Sequence, residues 1–192
     1  VLYVVDMAEI PAFQEIRAMD ADRDGTPSDT ETAAYLAQKI LELGRGLMLA
    51  LNGQPMPLAA IERSITFPAG QGGLQTIRIE AVYRASVPSA ARERVHLRYT
   101  DGNFPGRLGW KEIIASPGEG VTFEGSSVPA SDVTDALRSY PADRLQSPLD
   151  RREAVISYAS TAACPSCASA ATGIAPGPES AGRASGSITA PR

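Results

Sequence analysis

The 192-residue chain contains one histidine (His96), two cysteines (Cys164 and Cys167), one tryptophan (Trp110) and two lysines. Each scarcity excludes something. With one histidine, Ser-His-Asp or Cys-His catalysis would have to use His96, and no G-x-S-x-G elbow is present. Two cysteines do not make a disulfide-dense scaffold. No run of 18 apolar residues exists, so no segment reads as a membrane-spanning helix. There is also no excess of basic charge. A net charge of −4 and a pI near 5.1 argue against a nucleic-acid binder. The start, Val1-Leu2-Tyr3-Val4-Val5-Asp6, lacks an initiator Met and a basic leader. It reads as the interior of a strand, so more chain is expected upstream.

What is present is globular in composition, with 43% hydrophobic and 21% charged residues. The length fits one domain plus a tail. In Thr161–Arg192, Ala, Gly, Pro and Ser supply 22 of 32 residues. Such a segment cannot bury enough apolar surface to offset its ordering entropy. It is expected to be a disordered low-complexity tail, which leaves 1–160 as the folding unit.

Within that unit Val1–Asp6 reads as a strand, Ala8–Met19 as a short helix and Asp20–Glu31 as a polar loop. The clearest helix is Thr30–Leu43, where Ala33, Leu36, Ile40 and Leu43 recur at steps of three and four. Leu47–Leu51 runs into the hairpin signal Asn52-Gly53, with Ala60–Phe67 as its expected return strand. Leu74–Ala85 places Ile77, Ile79, Ala81 and Tyr83 on one face. Arg94–Tyr99, Gly109–Ala115, Val121–Glu124 and Ala154–Ala159 are further candidate strands, and Ser131–Tyr140 a short helix. Short strands between Gly/Pro turns predict a mainly β fold with an α insertion: an antiparallel immunoglobulin-like β-sandwich. The helix–loop–helix at about 8–45 is its insertion.

The loop carries the chemistry. Asp20-Ala21-Asp22-Arg23-Asp24-Gly25-Thr26-Pro27-Ser28-Asp29-Thr30-Glu31 matches D-x-D-x-D-G-x5-E, the EF-hand calcium pattern. Calcium takes six to eight oxygens in a flexible shell. Asp20, Asp22 and Asp24 can each present a carboxylate, and Gly25 permits the sharp turn. Thr26 would offer its carbonyl, Ser28 its hydroxyl or a bridging water, and Glu31 a closing bidentate carboxylate. Ser28 and Glu31 also have capping-box spacing, and the metal is given priority over the cap. The bland alternative is a solvated acidic turn. Pro27 has no N–H for the bridge that pairs two such loops, and no second loop exists. These features predict a lone hand of modest, extracellular-type affinity, serving as a structural clamp rather than a switch. The acid is concentrated there: residues 20–31 carry five acids and one base, a net of −4, equal to the charge of the whole chain.

Other signals are weaker. Cys164-Pro165-Ser166-Cys167 has redox or zinc spacing, but it lies in the tail without a second ligand pair. His96 has no ligand spacing around it. Gly70-Gln71-Gly72-Gly73 precedes a strand and so is no phosphate cradle. Trp110 is expected in the core.

Several phrases occur together. Val4-Val5-Asp6-Met7-Ala8-Glu9-Ile10-Pro11 leads to Phe13-Gln14-Glu15 and the acidic loop. Phe67-Pro68-Ala69-Gly70-Gln71-Gly72-Gly73-Leu74 comes next, then Tyr99-Thr100-Asp101-Gly102-Asn103-Phe104-Pro105-Gly106-Arg107-Leu108-Gly109-Trp110-Lys111-Glu112. Tyr140-Pro141-Ala142-Asp143-Arg144-Leu145 and Ser147-Pro148-Leu149-Asp150 come later. Over about 1–160 this combination resembles the extracytoplasmic N-terminal domain of bacterial nickel/cobalt transporter-type membrane proteins. The resemblance implies a polytopic membrane region as neighbour in the full-length protein. It also implies an extracytoplasmic, membrane-tethered location, with no nickel ligand assigned in this chain.

The leading expectation is therefore a non-enzymatic, calcium-binding accessory domain. A second reading is a free-standing ligand-binding or adhesion module with Trp110, Tyr99 and Phe104 as its recognition face. A third is a calcium-stabilised hydrolase, which requires convergent polar groups around His96.

Overall fold

The computed structural model describes residues 1–87, 94–140 and 149–160. The chain divides into two units, Val1–Ala162 and Ala163–Arg192, and the described residues all belong to the first. The Cys164–Cys167 motif and the low-complexity tail lie outside them.

Among the described residues this unit has two antiparallel sheets, two α-helices and a short 3-10 turn at Gln71–Gly73. Strand β1 (Leu2–Met7) is followed by α1 (Glu9–Met19) and α2 (Asp29–Arg45). Next come β2 (Leu47–Leu51), β3 (Gln54–Met56), β4 (Ala59–Thr66) and β5 (Ile77–Arg84). The last three strands are β6 (Val95–Asp101), β7 (Val121–Ser126) and β8 (Glu153–Ser160). One sheet has the order β1-β5-β4, the other β3-β2-β6-β8-β7.

The alternation read in β5 is real. Ile77, Ile79, Ala81 and Tyr83 are all buried, and register places Tyr3, Val5 and Met7 of β1 on the same face. Helix α2 supplies Leu36, Ile40 and Leu43 to the same core, and α1 supplies Ala12 and Met19. Ala33, expected on that stripe, is exposed near the start of the helix. The Tyr83 hydroxyl donates to the Ile40 carbonyl at 2.7 Å, fixing helix to sheet. Between the helices, Glu15 accepts from Tyr35 (2.6 Å) and from Lys39 (3.2 Å).

A polar seam joins the C-terminal end of α2 to both sheets. The Asn103 amide donates to the Leu43 carbonyl (3.0 Å) and to the Tyr3 hydroxyl (3.2 Å). Tyr3 in turn donates to Asp101 at 3.1 Å. The Leu43 carbonyl, near the end of α2, also accepts from the C-cap Gly46 amide at 3.0 Å.

Four sequence readings are corrected. The strand returning from Asn52-Gly53 is the short β3, paired as Leu51↔Gln54 to Leu49↔Met56. The turn residues have φ of +48° and +79°, the geometry of a tight hairpin. Pro55 and Pro57 keep β3 short, and β4 then crosses to the other sheet. Residues 109–115 form no strand; only Lys111 bridges, in parallel, to Asp150. Gly109 at φ +152° breaks the pleat there. Residues 131–140 form no helix, because Asp135, Ala136 and Leu137 have φ of +48°, +51° and +65°. Glu112 organises this segment instead, accepting from the Val133 amide (2.9 Å) and the Thr134 hydroxyl (2.6 Å). Trp110 is not a core residue either. It is half-buried, with its ring tilted against Tyr140 at 5.7 Å.

Candidate metal centre

Helix α1 ends at Met19 and α2 begins at Asp29, so the acidic loop spans the gap between them. The buried Met19 and Leu36 anchor its two ends in the core. The loop itself is folded by its own carboxylates. Asp20 accepts from the Asp24 amide (3.1 Å) and the Gly25 amide (3.0 Å). Asp22 accepts from the Asp24 amide at 3.1 Å, and Asp24 from the Thr26 amide at 3.0 Å. Two residues adopt positive φ to make this wrap, Arg23 at +63° and Gly25 at +102°. Only glycine tolerates the second readily.

As a result Asp20, Asp22 and Asp24 each place one oxygen in a group whose members lie within 4.8 Å of one another. Two oxygens on opposite sides of one cation, each about 2.4 Å from it, are separated by about the same distance. The group therefore fits a single calcium-sized ion, and its donors are all hard oxygens. The cost of gathering the charge shows in Asp22. The Asp24 amide pulls its carboxyl pKa down, but the Asp24 and Glu31 charges, with desolvation, outweigh this and hold it above the ordinary range.

Glu31 and Ser28 are placed differently from the expected shell. Glu31 Oε2 accepts from the Ser28 amide (2.9 Å) and hydroxyl (2.8 Å), while the Glu31 amide donates to Ser28 Oγ (3.3 Å). This is a complete capping box. Glu31 Oε1 accepts from the Ala21 amide (2.7 Å) and the Asp22 amide (3.3 Å). The Ser28 amide and hydroxyl and the Ala21 amide hold its pKa at about 2. Glu31 thus closes the loop through hydrogen bonds, back to its first residues, and all four of its acceptor positions are used. Thr26 follows Gly25, its amide held by Asp24.

His96 lies exposed on the outer face of the second sheet. Its Nδ1 is 2.9 Å from Ser157 Oγ on the neighbouring strand. The Asn52 side-chain oxygen accepts from the His96 backbone amide at 2.8 Å. No helix among the described residues is long and apolar enough to cross a membrane. Comparisons with protein-family models, curated proteins and solved structures gave no match.

Proposed function

We propose that residues 8–45 form an EF-hand-like insertion in an immunoglobulin-like sandwich, and that its loop binds one calcium ion. The observation that carries this reading is the convergence of Asp20, Asp22 and Asp24 within 4.8 Å. Thr26 would add its carbonyl, and Ser28 would add its hydroxyl or a bridging water by giving up its bond to Glu31. Glu31 would complete the shell by exchanging some of its loop hydrogen bonds for the cation. Bound calcium would bring the loop's charge from −4 to −2 and tie the end of α1 to the start of α2. In the setting that the resemblance suggests, this is a clamp in an extracytoplasmic domain accompanying a nickel/cobalt-type transporter.

Calorimetric titration of the chain with calcium should give a single site, and calcium should raise the melting temperature. Asp24→Ala should abolish both effects, and Glu31→Gln should weaken them. The absence of heat together with an unchanged melting temperature at millimolar calcium, the weak end of such sites, would sink the proposal.

A further inference from the structure

We propose that the cleft over the inner face of the five-stranded sheet binds a single-chain amphiphile with a carboxylate head. The cleft has a volume of about 1340 Å³, beyond the usual range of small-molecule sites, roughly 300–1,000 Å³. Its floor is the inner face of the β3-β2-β6-β8-β7 sheet, and β1 and the irregular 107–116 stretch wall it. Leu49, Leu97, Phe123, Ile156 and Tyr158 line the floor, with Trp110 at the side. Register sets Leu97 opposite Ile156, and Phe123 opposite Tyr158. Unlike the buried Leu47, Tyr99 and Ala154 on the same face, Leu49, Leu97, Phe123 and Tyr158 remain only half-buried. Apolar surface is therefore left for something else to cover.

The charges around the cleft select the head group. Six carboxylates border it, Asp6, Glu9, Glu15, Asp101, Glu112 and Asp132. Each already accepts a hydrogen bond from within the chain. Among the bordering cations, Lys111 is held by Asp150 at 3.3 Å, and Arg151 donates to the Ser127 carbonyl at 3.2 Å. Arg84 and Arg107 also border the cleft. Both are exposed, and their guanidinium groups have no ion pair or hydrogen bond among the described residues. An apolar floor bordered by two exposed guanidinium groups without a partner among the described residues suits an alkyl chain ending in a carboxylate. A cationic or purely hydrocarbon ligand would leave both arginines unused.

Trp110 is the one tryptophan in the chain, so its fluorescence reports on the cleft directly. The full chain would be titrated with octanoate, decanoate and dodecanoate, and with 1-decanol, all below micelle formation. Saturable emission changes are expected, with affinity rising roughly threefold to fourfold per added methylene. Decanoate should bind about tenfold tighter than 1-decanol. The Arg84→Gln/Arg107→Gln double variant should erase that difference and leave 1-decanol binding unchanged, with an unaltered circular dichroism spectrum as the check on folding. No saturable change with any ligand, or affinities independent of chain length, would overturn the proposal. Equal binding of decanoate and 1-decanol to the unaltered chain would overturn the carboxylate assignment.

Discussion

At the scale of single residues, Ser28 and Glu31 determine how the acidic loop is held. Their reciprocal hydrogen bonds start α2, and the second Glu31 oxygen reaches back to the amides of Ala21 and Asp22. Removing the Ser28 side chain leaves the Glu31 amide without its acceptor. Ser28→Ala should cost about 1 kcal/mol of stability, read from urea unfolding in calcium-free buffer. An unchanged urea midpoint would show that the cap contributes nothing. Much of this arrangement is legible in the sequence, since both the aspartate spacing and the S-x-x-E spacing are local. The choice between cap and shell for Glu31 is not legible there. It depends on where the Ala21 and Asp22 amides point once the loop has wrapped.

At the scale of elements, the seam at the end of α2 is the sharpest test. A Cβ added at Gly46 would collide with the Asn103 side-chain amide, which bonds the Leu43 carbonyl and the Tyr3 hydroxyl. Gly46→Ala should cost about 1–3 kcal/mol by forcing that amide away from both partners. Asn103→Ala should cost a similar amount. In the double variant the losses should not add, because the second change removes the group that the first displaces. Additive losses in chemical denaturation would disprove the coupling. The helices and most strands are readable from sequence because their periodicity is local and strong. The return strand is misassigned from sequence because Asn52-Gly53 specifies a turn but not the length of the strand after it. The absence of a helix at 131–140 is invisible to periodicity. Glu112, some twenty residues earlier, ties that segment into a coil. The cleft is equally hidden, since its floor is assembled from strands far apart in sequence.

At the scale of the whole molecule, all six tyrosines are perturbed in one direction. Burial raises Tyr3, Tyr35, Tyr83, Tyr99, Tyr140 and Tyr158 above the ordinary phenol pKa, Tyr140 to about 12 with the Asp6 charge assisting. A raised pKa in the folded state means that the stabilising contribution is fully present below about pH 10, the ordinary value. It is lost as pH climbs through the folded values. Slightly above pH 10, near-ultraviolet absorbance should show little tyrosinate in the folded chain and a majority in the same chain unfolded by urea. Matching titrations in the two states would contradict the burial of these rings. Alkaline unfolding should accordingly be cooperative with tyrosine ionisation.

The order of the strands also sets a timetable. Among the described residues β1 is the earliest strand, and its strand partner there is β5, with Val4 opposite Glu80. The helix pair and three further strands lie between them. A ribosome adding roughly 5–20 residues per second leaves β1 without a partner for roughly 4–15 s. During that interval α1, the acidic loop and α2, whose contacts with each other are local, are already complete. The nascent chain thus has a helical hairpin to shelter its first strand well before a sheet exists to receive it.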